Sequence, residues 1–126
     1  VVEYAVTQIS PEKIQLGIPN YGYDWPLPYI RGVTEAVTIG NVEAVQIAVA
    51  NRAEIQFDET AMTPFFRYTQ AGVAHEVWFE DVRSLRAKFE LIQEFGLLGA
   101  GYWQIMDWFF ANWLLLADTF WIEKGN

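Results

Sequence analysis

Cysteine is absent from the chain and histidine occurs once, at His75. No disulfide framework, cysteine-based zinc site or thiol nucleophile can be built from it, and one histidine makes no metal set. Neither a metal nor any other cofactor is expected, and a lone strand histidine reads as a hydrogen-bonded structural residue. Secreted enzymes often lack cysteine too, so the redox compartment stays open. Positive charge is scarce: 8 Lys and Arg stand against 16 Asp and Glu, a formal charge of −8. Phosphate backbones and anionic membranes select basic stripes, so nucleic acid and membrane surfaces are poor partners. Long apolar runs are missing as well. The longest, Phe109 to Ile122, is interrupted by Asn112 and Asp118 and falls short of the roughly 20 residues of a bilayer span. No membrane span is expected. There is no charged segment leading into an apolar leader, and Val1 to Val6 read like the inside of an element, as if the chain were cut. Repeats, low-complexity tracts and Ser/Gly linkers are absent.

What is present is apolar and aromatic. In 126 residues, 52% are hydrophobic and 17% aromatic, with six Trp, six Tyr and nine Phe. That suffices for one domain with a core, is too short for two full-sized ones, and excludes intrinsic disorder. Trp and Tyr are costly to bury without a partner for their polar atom, so some are expected to line a cleft, where stacking on sugars is one use.

Val2, Ala5, Val6 and Ile9 follow helical spacing up to the Ser10-Pro11 break. Lys13 to Pro19 reads as a short buried strand, leading into an aromatic, proline-bracketed loop from Tyr21 to Tyr29. A helix is expected between Thr38 and Arg52, with Val42, Val45, Ala48 and Val49 on its apolar face and Thr38 or Asn41 as cap. Ala53 to Phe57, Pro64 to Thr69 and Ala74 to Phe79 read as antiparallel strands joined by hairpins. Asp81 caps a helix carrying Val82, Leu85, Phe89, Ile92 and Phe95 at three-and-four spacing, closed by Gly96. Leu98 to Ile105 is a second buried, glycine-rich strand, and a last helix runs from about Ala111 to Phe120. Two short apolar strands, each followed by a helix, are units of a parallel α/β sheet that two strands cannot complete.

Three motifs lie along this plan: Lys13-Ile-Gln-Leu-Gly-Ile-Pro-Asn-Tyr-Gly-Tyr-Asp-Trp25, His75-Glu-Val-Trp-Phe-Glu-Asp81 with Arg83, Ser84 and Lys88, and Gly99-Ala-Gly-Tyr-Trp103. In this order they resemble the C-terminal third of a family-18 glycoside hydrolase, nearest to the spore-cortex and germination-type N-acetylglucosaminidases. The resemblance implies an α/β fold: the C-terminal fragment of a (β/α)8 TIM barrel carrying a small α+β insertion domain. Residues 1–29 and 80–126 would be the barrel segment (end of helix 6, strand 7, helix 7, strand 8, helix 8), and residues 30–79 the insertion. Such barrels hold their active sites at the C-terminal ends of the strands. Trp103 then matches the tryptophan on which the sugar at the cleavage point stacks, and Tyr21 the tyrosine of strand 7. Asp24, Tyr23 and Trp25 complete the expected substrate-binding set.

No catalytic residue is expected. The family's Asp-x-x-Asp-x-Asp-x-Glu motif, with its proton-donating Glu, does not occur, nor does its Met-x-Tyr-Asp. Met106 followed by Asp107 and Trp108 stands where the family usually reads Gly, so that loop is expected to differ. Glu80 and Asp81 invite an acid/base reading as adjacent carboxylates, but Asp81 opens a helix and capping is the simpler role. Trp113, Leu114, Leu115, Leu116, Phe120 and Trp121 lack the flanking Lys and Arg of a membrane-surface helix and are expected to pack on the barrel. The expected function is the C-terminal part of a retaining, substrate-assisted glycosidase acting on N-acetylglucosamine-containing glycan, peptidoglycan of spore cortex or chitin. The resemblance places it outside the cell, at the cell wall or spore. The alternative is a non-catalytic glycan-binding or interaction module, and a third reading is purely structural. The apolar faces of Ile14, Leu16, Ile18, Ala100, Tyr102 and Ile105 would lack partners, so the fragment is expected to pair with a second copy.

Overall fold

The computed structural model describes residues 1–122. Helix α1 (Val2–Gln8) and a 3-10 turn at Pro11–Lys13 lead into strand β1 (Gln15–Pro19). Strands β2 (Gly22–Pro26) and β3 (Val37–Ile39), helix α2 (Asn41–Ala50) and strands β4 (Gln56–Asp58), β5 (Thr63–Gln70) and β6 (Val73–Trp78) follow. Helix α3 (Val82–Glu94), strand β7 (Gly99–Trp103) and helix α4 (Phe110–Thr119) close the order. The strands form two sheets: a parallel pair β1-β7, and a five-stranded antiparallel sheet ordered β3-β2-β6-β5-β4.

In the parallel pair, Leu16 faces the same side as Ala100, and Ile18 the same side as Tyr102. That side packs on the amphipathic α3. Leu85, Phe89 and Ile92, spaced as one helical face, join Ile18, Leu97 and Leu115 in a buried cluster. The ends of α3 are where the sequence places them. Asp81 accepts from the N–H groups of Arg83 (2.8 Å) and Ser84 (3.1 Å), and Gly96 adopts φ +60° past the last turn. The other side of the pair carries Gln15, Gly17, Gly99, Gly101 and Trp103 and is open. Burial on both sides, expected from the apolar runs, therefore holds on one side only. Ile18 is fully buried, and Ile14, Leu16, Ala100 and Tyr102 pack against the cluster. Of the side chains expected to lack partners, only Ile105 stands exposed.

The antiparallel sheet packs one face on α2 around Ile39, Ala44, Ala48, Phe66, Tyr68, Val77 and Phe79. Two expectations change here. The segment read as an aromatic loop is β2, paired on both edges to β3 and β6, so the sheet's unit starts at Gly22 and not at residue 30. Its prolines suggested a loop, yet Pro26 sits at the strand's last position and Pro28 lies beyond it. The buried face of α2 is also rotated from the expected one. Asn41, Ala44 and Ala48 point inward while Val42, Val45 and Val49 are exposed. The rings of Phe66, Tyr68 and Phe79 already fill the sheet face, so the helix approaches on its small residues. Its N-cap is Gly40, whose N–H donates to Glu43 (3.3 Å).

The β5-β6 hairpin turns at Ala71 and Gly72, both with positive φ, as a two-residue connection requires. Among the described residues, no helix is long and apolar enough to cross a membrane.

Candidate functional site

Strands β1 and β7 run parallel and end together, Pro19 beside Trp103. Trp103 projects from the open side and is 75% exposed. Next to it on that side lie Gly17 and Gly101, where an added Cβ would meet nothing within 4 Å at Gly17 and only the Gln15 side-chain oxygen at Gly101. A flat molecule over the indole would meet no side chain from this floor. The peptide joining Trp103 to Gln104 is cis.

Beyond Pro19 the chain turns through Asn20 and Tyr21 into β2. Alternation along a strand sends Tyr23 and Trp25 to the sheet face away from α2 and Asp24 to the other. With Tyr21 and Tyr29 they form a row of rings, centroids 5.3 Å apart for Tyr21–Tyr23, 6.0 Å for Tyr23–Trp25 and 5.6 Å for Trp25–Tyr29. Trp78, paired across from Tyr23, stacks on Phe65 at 4.6 Å. Tyr21, Tyr23, Trp78, Pro19, Thr63 and Glu80 line a cavity of about 190 Å³ between the two sheets. The Tyr21 phenol is held above its ordinary pKa, first by the neighbouring Tyr23 hydroxyl, then by burial and by nearby negative charge including Glu80.

Asp24 is not part of this row. It is 8% exposed, faces α2, accepts from the Tyr68 hydroxyl (2.5 Å) and lies 2.9 Å from Nδ1 of His75. Burial, followed by that carboxylate, pushes the Tyr68 phenol up. His75 stacks on Tyr68 at 4.7 Å and is the hydrogen-bonded residue expected. The substrate-binding set read from the sequence is therefore divided: Trp103 stands exposed at the end of β7, Tyr21, Tyr23 and Trp25 lie in the ring row, and Asp24 is buried behind the sheet.

Both carboxylates at the mouth are engaged. Glu80, 6% exposed, accepts from Nζ of Lys88 at 2.9 Å on each oxygen and from Ser84 Oγ (2.6 Å). Asp107 accepts from Gln104 Nε2 (2.8 Å) through Oδ2. Farther along the ring face, Glu76 takes the Trp78 indole N–H (2.8 Å) and Arg67 Nε (2.6 Å), which hold it below the ordinary carboxylate range, the indole first. Glu80 and Asp107 thus both accept hydrogen bonds from neighbouring side chains.

Sequence reasoning missed Tyr29, Trp78 and Phe65 as extensions of the aromatic face. The signal was there: Tyr21, Tyr23 and Trp25 recur at a spacing of two, the period of a strand with one aromatic face. Of the last helix, Asn112 and Leu115 are buried and Phe120 meets Phe89 edge-on at 5.2 Å, whereas Leu114 and Trp121 are exposed. Met106 is exposed as well.

Residues 1–107 match the sequence pattern of Glycosyl hydrolases family 18. The chain is 51% identical over 125 residues to a cortical fragment-lytic enzyme of Bacillus subtilis, covering 98% of this chain and 29% of that protein. Its structure is similar to that of the Bacillus megaterium spore cortex-lytic enzyme SleL, with a TM-score of 0.95 and 46% identity over 99% of this chain and 29% of that one. A chitinase from Chromobacterium violaceum matches with a TM-score of 0.85 and 28% identity, over 94% of this chain and 36% of that one. The chain thus spans about a third or less of the length of these relatives.

Proposed function

This chain belongs to glycosyl hydrolase family 18, and from that premise we propose that it is the C-terminal part of a (β/α)8-barrel glycosidase cleaving N-acetylglucosamine-containing polysaccharide. The relatives named for cortex lysis favour peptidoglycan of the spore cortex over chitin, and a spore-associated or cell-wall setting. One observation carries the reading. Trp103 stands exposed at the C-terminal end of β7, on a glycine floor, where barrel enzymes hold their substrates. The row from Tyr21 to Tyr29 supplies further rings, whose faces suit the apolar faces of pyranose rings.

Family 18 departs from the two-carboxylate scheme of other glycosidases because the substrate takes part in its own cleavage. The acetamido oxygen attacks the anomeric carbon, and the protein contributes a proton donor for the leaving oxygen and a carboxylate that orients the acetamido group. Glu80 and Asp107 are committed to Lys88 and Gln104. The donor and the orienting carboxylate therefore come from outside this chain, and its own task is to seat the sugar.

Two measurements test the proposal. The pure 126-residue chain should not hydrolyse a chromogenic N-acetylglucosaminide, and turnover should appear only in the full-length protein. Trp103→Ala in the full-length protein should weaken binding of N-acetylglucosamine oligomers by about 1–3 kcal/mol, the scale of a lost aromatic contact. Unchanged affinity with an intact fold would return Trp103 to a structural role. Glycan binding by a full-length protein without turnover would favour a non-catalytic binding module.

A further inference from the structure

Trp103 is the most exposed ring at the mouth, yet its backbone is tied down at both ends of the loop that follows it. Asn20, the residue after β1, is 2% exposed. Its backbone N–H donates to the Trp103 carbonyl (3.1 Å), and its Nδ2 donates to the Asp107 carbonyl (2.7 Å). A second brace closes inside the loop. Gln104 donates through Nε2 to the Asp107 carboxylate (2.8 Å) and accepts the Met106 N–H through Oε1 (2.6 Å). One buried residue therefore holds both ends of the segment 103–107, Trp103 through its backbone N–H and Asp107 through its side-chain amide, and the Gln104 side chain staples the interior.

Nothing comparable holds the indole. Among the described residues no aromatic ring stacks on Trp103 and no side chain hydrogen bonds to it, so what fixes its placement is the Cα–Cβ direction of the braced backbone. A sugar platform needs that direction in advance, because ordering a free side chain on binding reduces affinity. Building on the reading of Trp103 as the sugar platform, we propose that Asn20 and Asp107, with Gln104, are positioning residues that pre-set the Trp103 indole for its ligand. Asn20 touches no sugar in this scheme. It acts through two carbonyls, and a buried amide is justified by such bonds and costly without them.

The test is a double-mutant cycle in the full-length protein, with the N-acetylglucosamine tetramer as probe and calorimetry as readout. Asn20→Asp keeps the side chain's shape but turns an acceptor oxygen toward the Asp107 carbonyl in place of the donor. Trp103→Ala is expected to weaken the tetramer about tenfold. Asn20→Asp should weaken it about fivefold, and the double variant should bind like Trp103→Ala alone, because the two residues act as one unit. The Trp103 indole N–H resonance, assigned with Trp103→Phe, should broaden in ligand-free Asn20→Asp, which a purely structural role would not produce. Where Asn20→Asp fails to fold, Gln104→Ala should show the same coupling and the same broadening. Wild-type affinity in the brace variants, or losses that add fully to that of Trp103→Ala, would overturn the proposal while leaving the sugar platform standing. A Trp103→Ala variant with unchanged affinity would overturn both.

Discussion

Lys88 Nζ stands 2.9 Å from each carboxylate oxygen of Glu80, joining the second turn of α3 to the segment that leads out of the five-stranded sheet. The same Glu80 accepts from Ser84 Oγ, and its backbone N–H donates to Asn41 Oδ1 (2.9 Å) at the start of α2. One residue thus ties the end of β6 to two helices. Lys88→Met should cost about 3–5 kcal/mol in urea unfolding, because it strands a buried carboxylate without a countercharge. Adding Glu80→Gln should restore much of that loss. A cost below about 1 kcal/mol would mean that the pair behaves as a solvated surface ion pair.

Gly22 is the tightest point of the sheet. A Cβ there would lie 2.6 Å from the Trp78 carbonyl oxygen and 2.7 Å from Phe79 Cβ, so backbone would have to move. Gly22→Ala should lose about 1–3 kcal/mol or more, the cost of overpacking. Gly17→Ala, where nothing lies within 4 Å, should stay within about 0.5 kcal/mol of the parent. Equal thermal midpoints for the two variants would refute the contrast.

The Glu76 carboxylate, held low first by the Trp78 indole and then by Arg67, makes stability pH-dependent on the acid side. Its folded pKa lies below its unfolded one. The stabilisation is therefore complete above the ordinary glutamate range and is lost as pH falls through the depressed value. Urea midpoints should fall on acidification from about pH 5 downward, and Glu76→Gln should flatten the slope in that window. An identical slope in the variant would assign the acid sensitivity to other carboxylates.

The pair β1-β7 has no further strand on either edge among the described residues. The loop after β7 and the start of α4 expose Ile105, Met106, Trp108 and Phe110. Unpaired edges beside apolar surface invite strand addition, so the 126-residue chain by itself should self-associate, as a two-fold or strand-exchanged dimer. Light scattering at micromolar concentration checks this. A cooperatively unfolding monomer would show that α3 and α4 cover enough of the pair for it to stand alone.

Much was legible before any coordinate. The run from Asp81 to Gly96 declares its helix because cap, apolar stripe and left-handed terminus are all local signals, and each is realised in α3. The hairpin at Ala71 and Gly72 is equally local. So are the glycines of β7, and the order of motifs that marks the family lies wholly in the linear sequence; Trp103 by itself reads as a packing residue, and only the resemblance marks it for sugar.

What the sequence could not decide depends on neighbours far along the chain. Tyr21 to Tyr29 carries prolines and rings that read as a loop, and only pairing with β3 and β6, about 15 and 50 residues away by register, makes Gly22 to Pro26 a strand. That pairing buries Asp24 and turns Tyr23 and Trp25 outward, dividing residues that are adjacent in sequence between opposite faces. The inward face of α2, Asn41, Ala44 and Ala48 with Ile47 beside them, was decided by packing on Phe66, Tyr68 and Phe79. Composition and periodicity determined which segments fold, because those signals act over a few residues, and the order of the three motifs carried the family resemblance. Tertiary pairing alone decided which side chains reach the mouth, since a strand's faces acquire a meaning only when its partners arrive.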